Sequence, residues 1–160
     1  MGRWYRYMKG WMSGWLLLIL FVSACARPRV YAEYKPIDPN GWDMTDEIFY
    51  SFYIEDTTRA YEMTASLRYS PDFTPKVLPL GLVVEDPKRQ FRTQVLQWHL
   101  ERSELLSTKN GYNIFQSTYK IDSLWHFPNK GLYTISLRHL SQDSVLTGLV
   151  ELGLIVESRD

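Results

Sequence analysis

Few residues in this 160-residue chain are placed to do chemistry, and those few do not converge. The single cysteine, Cys25, closes the stretch Val22-Ser23-Ala24-Cys25 at the end of an apolar run. A lone thiol can be a buried or reactive free group, or a site of covalent modification. The three histidines, His99, His126 and His139, do not fall at H-E-x-x-H or any other tight metal spacing. A lone histidine among apolar residues is ordinarily a satisfied core or rim group, so no metal site and no cofactor is expected. The chain has no G-x-S-x-G elbow and no glycine-rich phosphate loop. Serines and carboxylates are plentiful, but nothing in their spacing gathers a Ser-His-Asp set or a carboxylate pair. The expectation is a protein without catalytic residues, and no ligand-binding residues stand out.

The segment that positions Cys25 explains its placement. Arg3, Arg6 and Lys9 put positive charge at the amino end, and Trp15 to Phe21 (WLLLILF) is apolar throughout. That run is shorter than the roughly 20 residues a membrane-spanning helix needs, and it suits the h-region of a secretory signal. Small residues follow at Ser23 and Ala24, which give a signal peptidase access to the backbone. With Val22 three places before Cys25, all four positions resemble a bacterial lipobox. The resemblance implies that Cys25 is the lipid attachment site, that cleavage follows Ala24, and that residues 1–24 are a leader outside the fold. Met8 opens a shorter signal of the same kind. Several acyl chains make a lasting anchor where one binds only marginally. The mature chain is thus expected to be held to the lipid bilayer through acylated Cys25 and not embedded in it.

The leader holds three of the 18 basic residues and none of the 18 acidic ones, so the chain from Cys25 onward carries a net charge of −3. A mildly acidic domain has no electrostatic reason to bind nucleic acid. Residues 25–30 read as the lipidated cysteine and a short basic tether, and residues 31–160 as one domain of ordinary size. Ala26, and not Asp, follows the cysteine. By the better-studied sorting rule this favours the outer membrane, with the domain facing the periplasm.

From Tyr31 onward the dominant period is two, the signature of strands with one buried face. Tyr61, Met63, Ala65, Leu67 and Tyr69 alternate with Glu62, Thr64, Ser66 and Arg68. Residues 48–54 place Ile48, Tyr50, Phe52 and Ile54 on one face. Residues 133–139 place Tyr133, Ile135 and Leu137 inward, and residues 149–157 place Val150, Leu152, Leu154 and Val156 inward. Fainter strand patterns cover 31–37, 77–85, 91–100 and 112–121. Residues 101–106 could form a helical turn. Turn chemistry separates the strands at Pro39-Asn40-Gly41, Ser70-Pro71-Asp72, Asp86-Pro87-Lys88, Lys109-Asn110-Gly111 and Pro128-Asn129-Lys130-Gly131. Asp56-Thr57-Thr58 is a short polar link of hairpin length. About eight strands at this spacing predict an all-β fold, a single antiparallel β-sandwich of jelly-roll or immunoglobulin-like type. Tyr61, Met63, Leu67, Ile135, Leu137, Leu152 and Leu154 are expected in one core.

The order of these pieces resembles the gliding-motility lipoprotein family GldH. After Cys25 comes a tyrosine-rich VYAEYKPI, then WDMTDEIFYSFYIEDTTRAYEMTASLRY. The chain closes on FPNKGLYTISLRHLSQDSVLTGLVELGLIVE, similar to the family's Gly-x-Tyr strand, polar loop and final Gly-Leu strand. The centre departs: PDFTPKVLPLGLVV and STKNGYNIFQSTYKI stand where the family has an aromatic-x-Asn-Leu segment and a Gly-x-Trp-x-Gly turn. The resemblance implies an envelope lipoprotein linked to gliding motility and the associated type IX secretion machinery, with envelope protein partners and no reaction.

Two functions fit these features. A structural component that binds partners needs a flat apolar patch or an open sheet edge. In that reading Arg138 and Glu151, on the polar face of the last two strands, suit the rim of an interface. A glycan-binding module would instead stack sugars on exposed Trp42, Trp98 and Trp125, residues whose large area otherwise fills a core.

Overall fold

The computed structural model describes residues 29–100, 104–109 and 112–159. The expected leader, residues 1–24, and Cys25 lie outside the described residues. The chain forms β1 (Arg29–Pro36), β2 (Trp42–Asp43), β3 (Ile48–Ile54), β4 (Ala60–Tyr69), β5 (Val77–Glu85), β6 (Phe91–His99), β7 (Glu104–Lys109), β8 (Tyr112–Trp125), β9 (Gly131–His139), β10 (Val145–Leu146) and β11 (Leu149–Arg159). There is no helix among the described residues.

Two antiparallel sheets face each other. One runs β1-β11-β4-β8-β7 and the other β3-β9-β5-β6, with β2 and β10 paired apart from both. With β7, β2 and β10 set aside, the order β1-β11-β4-β8 over β3-β9-β5-β6 is that of a jelly roll. Its connections mostly cross from sheet to sheet. The link at Asp56-Thr57-Thr58 is therefore no hairpin, because β3 and β4 lie in different sheets. The Asp56 carboxylate accepts the Thr58 N–H at 2.8 Å and the Thr58 hydroxyl at 2.6 Å, which fixes the corner.

The alternation seen in the sequence fills the space between the sheets. Tyr61, Met63, Leu67, Ile135, Leu137, Leu152 and Leu154 are all buried in one cluster. Polar tips find partners inside it. Tyr50 donates its hydroxyl across the sandwich to the Leu152 carbonyl at 2.6 Å, and the Trp98 indole N–H bonds Ser117 Oγ at 3.1 Å. Phe127, between β8 and β9, packs edge-on against Phe52, Tyr61 and Tyr133, with a ring separation of 4.6 Å to Tyr133.

Two local expectations are corrected. Val150 points outward, because a register shift between Leu149 and Glu151 turns Leu149 into the core instead. A helical turn over 101–106 is also not formed at its end, since Glu104 opens β7 and pairs with Gln116 of β8. Arg29 and Val30, at the end of the expected tether, already belong to β1.

Candidate functional site

The two outer faces of the sandwich differ in kind. On the five-stranded sheet the two charged residues of β4 draw in their neighbours. Arg68 on β4 bonds Glu151 on β11 and donates from Nε to Gln116 on β8 at 3.1 Å. Its guanidinium also sits 4.3 Å from the Tyr34 ring centre. Glu62 receives Lys120 at 3.2 Å and Arg159 at 2.5 Å, and those cations hold its carboxyl below the usual range against the opposing effect of burial. Both charges of β4 are thus engaged on this face.

The four-stranded sheet presents a different surface. Strand alternation puts Phe49, Ser51 and Tyr53 of β3 outward, since Tyr50, Phe52 and Ile54 are taken by the core. Register sets Tyr53 opposite Leu132, and Phe49 in a row with Ser136 and Val83. Phe49, Tyr53 and Leu132 are each at least half exposed, as is Val95 on β6. Ser136 is buried beneath its neighbours. Of this sheet's outward charges, Arg138 runs over Gly81 and makes no ion pair among the described residues.

The sheet ends at β3, whose sequence IFYSFYI has no charge, no proline and no register shift against β9. Edge strands usually carry such features to block pairing with another chain. Here protection comes from β1. The Tyr31 ring packs against β3, 5.2 Å from the Phe52 ring. Glu33 accepts the Tyr31 hydroxyl; burial and this carboxylate raise the Tyr31 pKa. Register places Tyr31, Glu33 and Lys35 on the inward side of β1, opposite core residues Val156, Leu154 and Leu152.

The candidate residues read from the sequence are dispersed. His139 is buried beside Trp42, its Nε2 3.0 Å from the Trp42 carbonyl. Burial depresses its pKa more than Asp43 and Asp143 raise it. His126 is exposed after β8 with Nδ1 3.0 Å from the Leu124 carbonyl, and His99 is exposed at the end of β6. No group of three or more metal-ligating side chains occurs among the described residues. Trp42, Trp98 and Trp125 are all buried, and Arg92 covers the Trp125 ring at 4.7 Å, so they form no stacking platform. Arg138 and Glu151 lie on opposite outer faces and cannot rim one interface, contrary to the sequence expectation. The exposed row on β3 was missed because Phe49 and Tyr53 sit among inward aromatics. Strand parity alone marked them.

The fold and these surfaces define an all-β jelly-roll domain with one uncharged, aromatic edge strand. The chain belongs to the GldH lipoprotein family, whose family model matches residues 29–156. It is similar to the gliding motility lipoprotein GldH of Flavobacterium johnsoniae, with 23% identity over 92% of this chain and 97% of that protein. Among solved structures it is similar to a family GH115 4-O-methyl-α-glucuronidase, at TM-score 0.43 and 10% identity over 85% of this chain. The match spans only 18% of that enzyme. It is also similar to a family 35 carbohydrate binding module from Clostridium thermocellum, at TM-score 0.28 and 12% identity over 76% of this chain and 97% of that module. At these scores neither likeness bears on what this chain binds.

Proposed function

We propose that this lipoprotein acts without turnover, as a partner-binding component of the cell envelope held to the outer membrane through acylated Cys25 and facing the periplasm. The observation that carries the reading is the contrast between the two outer faces. One carries ion pairs around β4, and the other offers Phe49 and Tyr53 along the uncharged edge of β3. Apolar patches of this kind rimmed by polar groups mark protein contacts. Confinement to a membrane raises effective concentration, so a modest contact suffices. Membership of the GldH family supports gliding motility and the type IX secretion machinery as the setting.

The test is site-specific crosslinking in the intact envelope. A photoreactive residue at Phe49 or Tyr53 should trap a discrete protein partner, and one at Thr118 on the opposite face should not. Equal yields at both faces, or trapping only at Thr118, would refute this assignment of the face. The glycan reading required an exposed tryptophan platform, and the burial of all three residues leaves it without that support.

A further inference from the structure

The two ends of the sandwich differ in charge, and the lipid anchor leaves from one of them. Arg29, the first residue of β1, pairs with Glu157, which pairs in turn with Glu62; Tyr61 beside it pairs with Trp125. The connections 55–59, 86–90 and 126–130 gather at this end. Only residues 26–28 separate Cys25 from Arg29, a span of at most about 14 Å when fully extended. If Cys25 carries acyl chains, as the proposed function holds, this end of the domain cannot stand far from the bilayer.

Charge agrees with that placement. The three connections at the anchored end hold three carboxylates and four Lys or Arg residues. Two of those carboxylates are engaged by neighbours, Glu55 with Lys130 and Asp56 with Arg59. Asp86 accepts the Lys88 and Gln90 N–H groups and the Asn129 amide. Lys88 and Arg89 make no ion pair among the described residues. The opposite end, in connections 37–47, 70–76 and 140–148, holds six carboxylates and one lysine. Within a Debye length of about 8–10 Å an anionic surface attracts the first end and repels the second. The anchored end also carries Phe91 and Leu124, at 67% and 59% exposure. Aromatic and aliphatic side chains beside cations suit the headgroup layer.

We infer that this end of the jelly roll is a lipid-docking surface: Lys88 and Arg89 meet anionic phospholipid headgroups while Phe91 and Leu124 enter the interface. The acidic end then points away from the membrane. Docking holds the sandwich upright, so that the β3 edge stands sideways to the bilayer.

The test uses the full-length protein extracted from cells and reconstituted into vesicles of phosphatidylethanolamine with phosphatidylglycerol. An environment-sensitive fluorophore is placed on Phe91→Cys or on Val145→Cys at the opposite end, Cys25, acylated in this reading, being the only native cysteine. Quenching by brominated lipid should be several-fold stronger at position 91, and Lys88→Glu with Arg89→Glu should reduce that difference while flotation with vesicles is unchanged. Equal quenching at both positions in protein that floats would overturn the docking surface and leave the anchor standing. Shielding at 91 without bromolipid quenching would assign the end to a protein and overturn the proposal as well. Failure to float would remove the anchor reading and this proposal together.

Discussion

The ring of Tyr34 on β1 occupies the space above Gly153, its register partner on β11. A Cβ at Gly153 would stand 2.5 Å from that ring. The ring in turn carries the Arg68 guanidinium at 4.3 Å. A glycine in a strand gives up packing, and here an aromatic from the edge strand fills the gap.

Gly153→Val should therefore push Tyr34 off the sheet and loosen Arg68, at a cost of about 1–3 kcal/mol as overpacking does. In a Tyr34→Ala background the same substitution should cost much less. A double-mutant cycle in denaturant measures the coupling, and additive effects would show that the ring contact contributes nothing.

Leu137 is fully buried, and Leu132 on the same strand is 56% exposed. Leu137→Ala should cost about 2–5 kcal/mol, the range for core truncations. Leu132→Ala should stay within about 0.5 kcal/mol. Chemical unfolding of the two variants separates them, and similar midpoints would mean the face assignment of β9 is wrong.

His139 sets a pH dependence. Its ordinary pKa is 6.5 and burial lowers it in the folded chain. Nε2–H donates to the Trp42 carbonyl, and Nδ1 has no partner among the described residues, which fits the neutral ring. Below about pH 6.5 the unfolded chain binds the proton that the folded chain resists, so stability should fall as pH drops through that range. His139→Gln should flatten the slope of unfolding free energy against pH there. A slope unchanged by the substitution would remove His139 as its source.

Cys25→Ser should abolish labelling by a fatty-acid analogue and leave the chain soluble or unprocessed. Fractionation after labelling is the measurement, and equal labelling of both proteins would end the lipid-anchor reading.

The sequence by itself determined eight of the strands and, Val150 apart, their buried faces, but not β2, β7 or β10. Tyr61 to Tyr69 alternate so regularly that only one face could be apolar, and the seven predicted core residues meet in one cluster. Period-two alternation is local, and it survives into the fold because Glu62 and Arg68 find their ion partners only on the outer face. The leader and Cys25 are a reading of linear sequence alone and lie outside the described residues. Only the tertiary structure decided which strands are neighbours. It sent the Asp56 link across the sandwich, parted Arg138 from Glu151, and laid Tyr31 against Phe52. It also gathered the acidic connections at one end and Arg29, the start of β1, at the other, because those connections are far apart in the chain and meet only when β1, β4 and β9 are placed. Charge in a loop is a property of sequence, but an end of a sandwich exists only once the sheets have closed on each other.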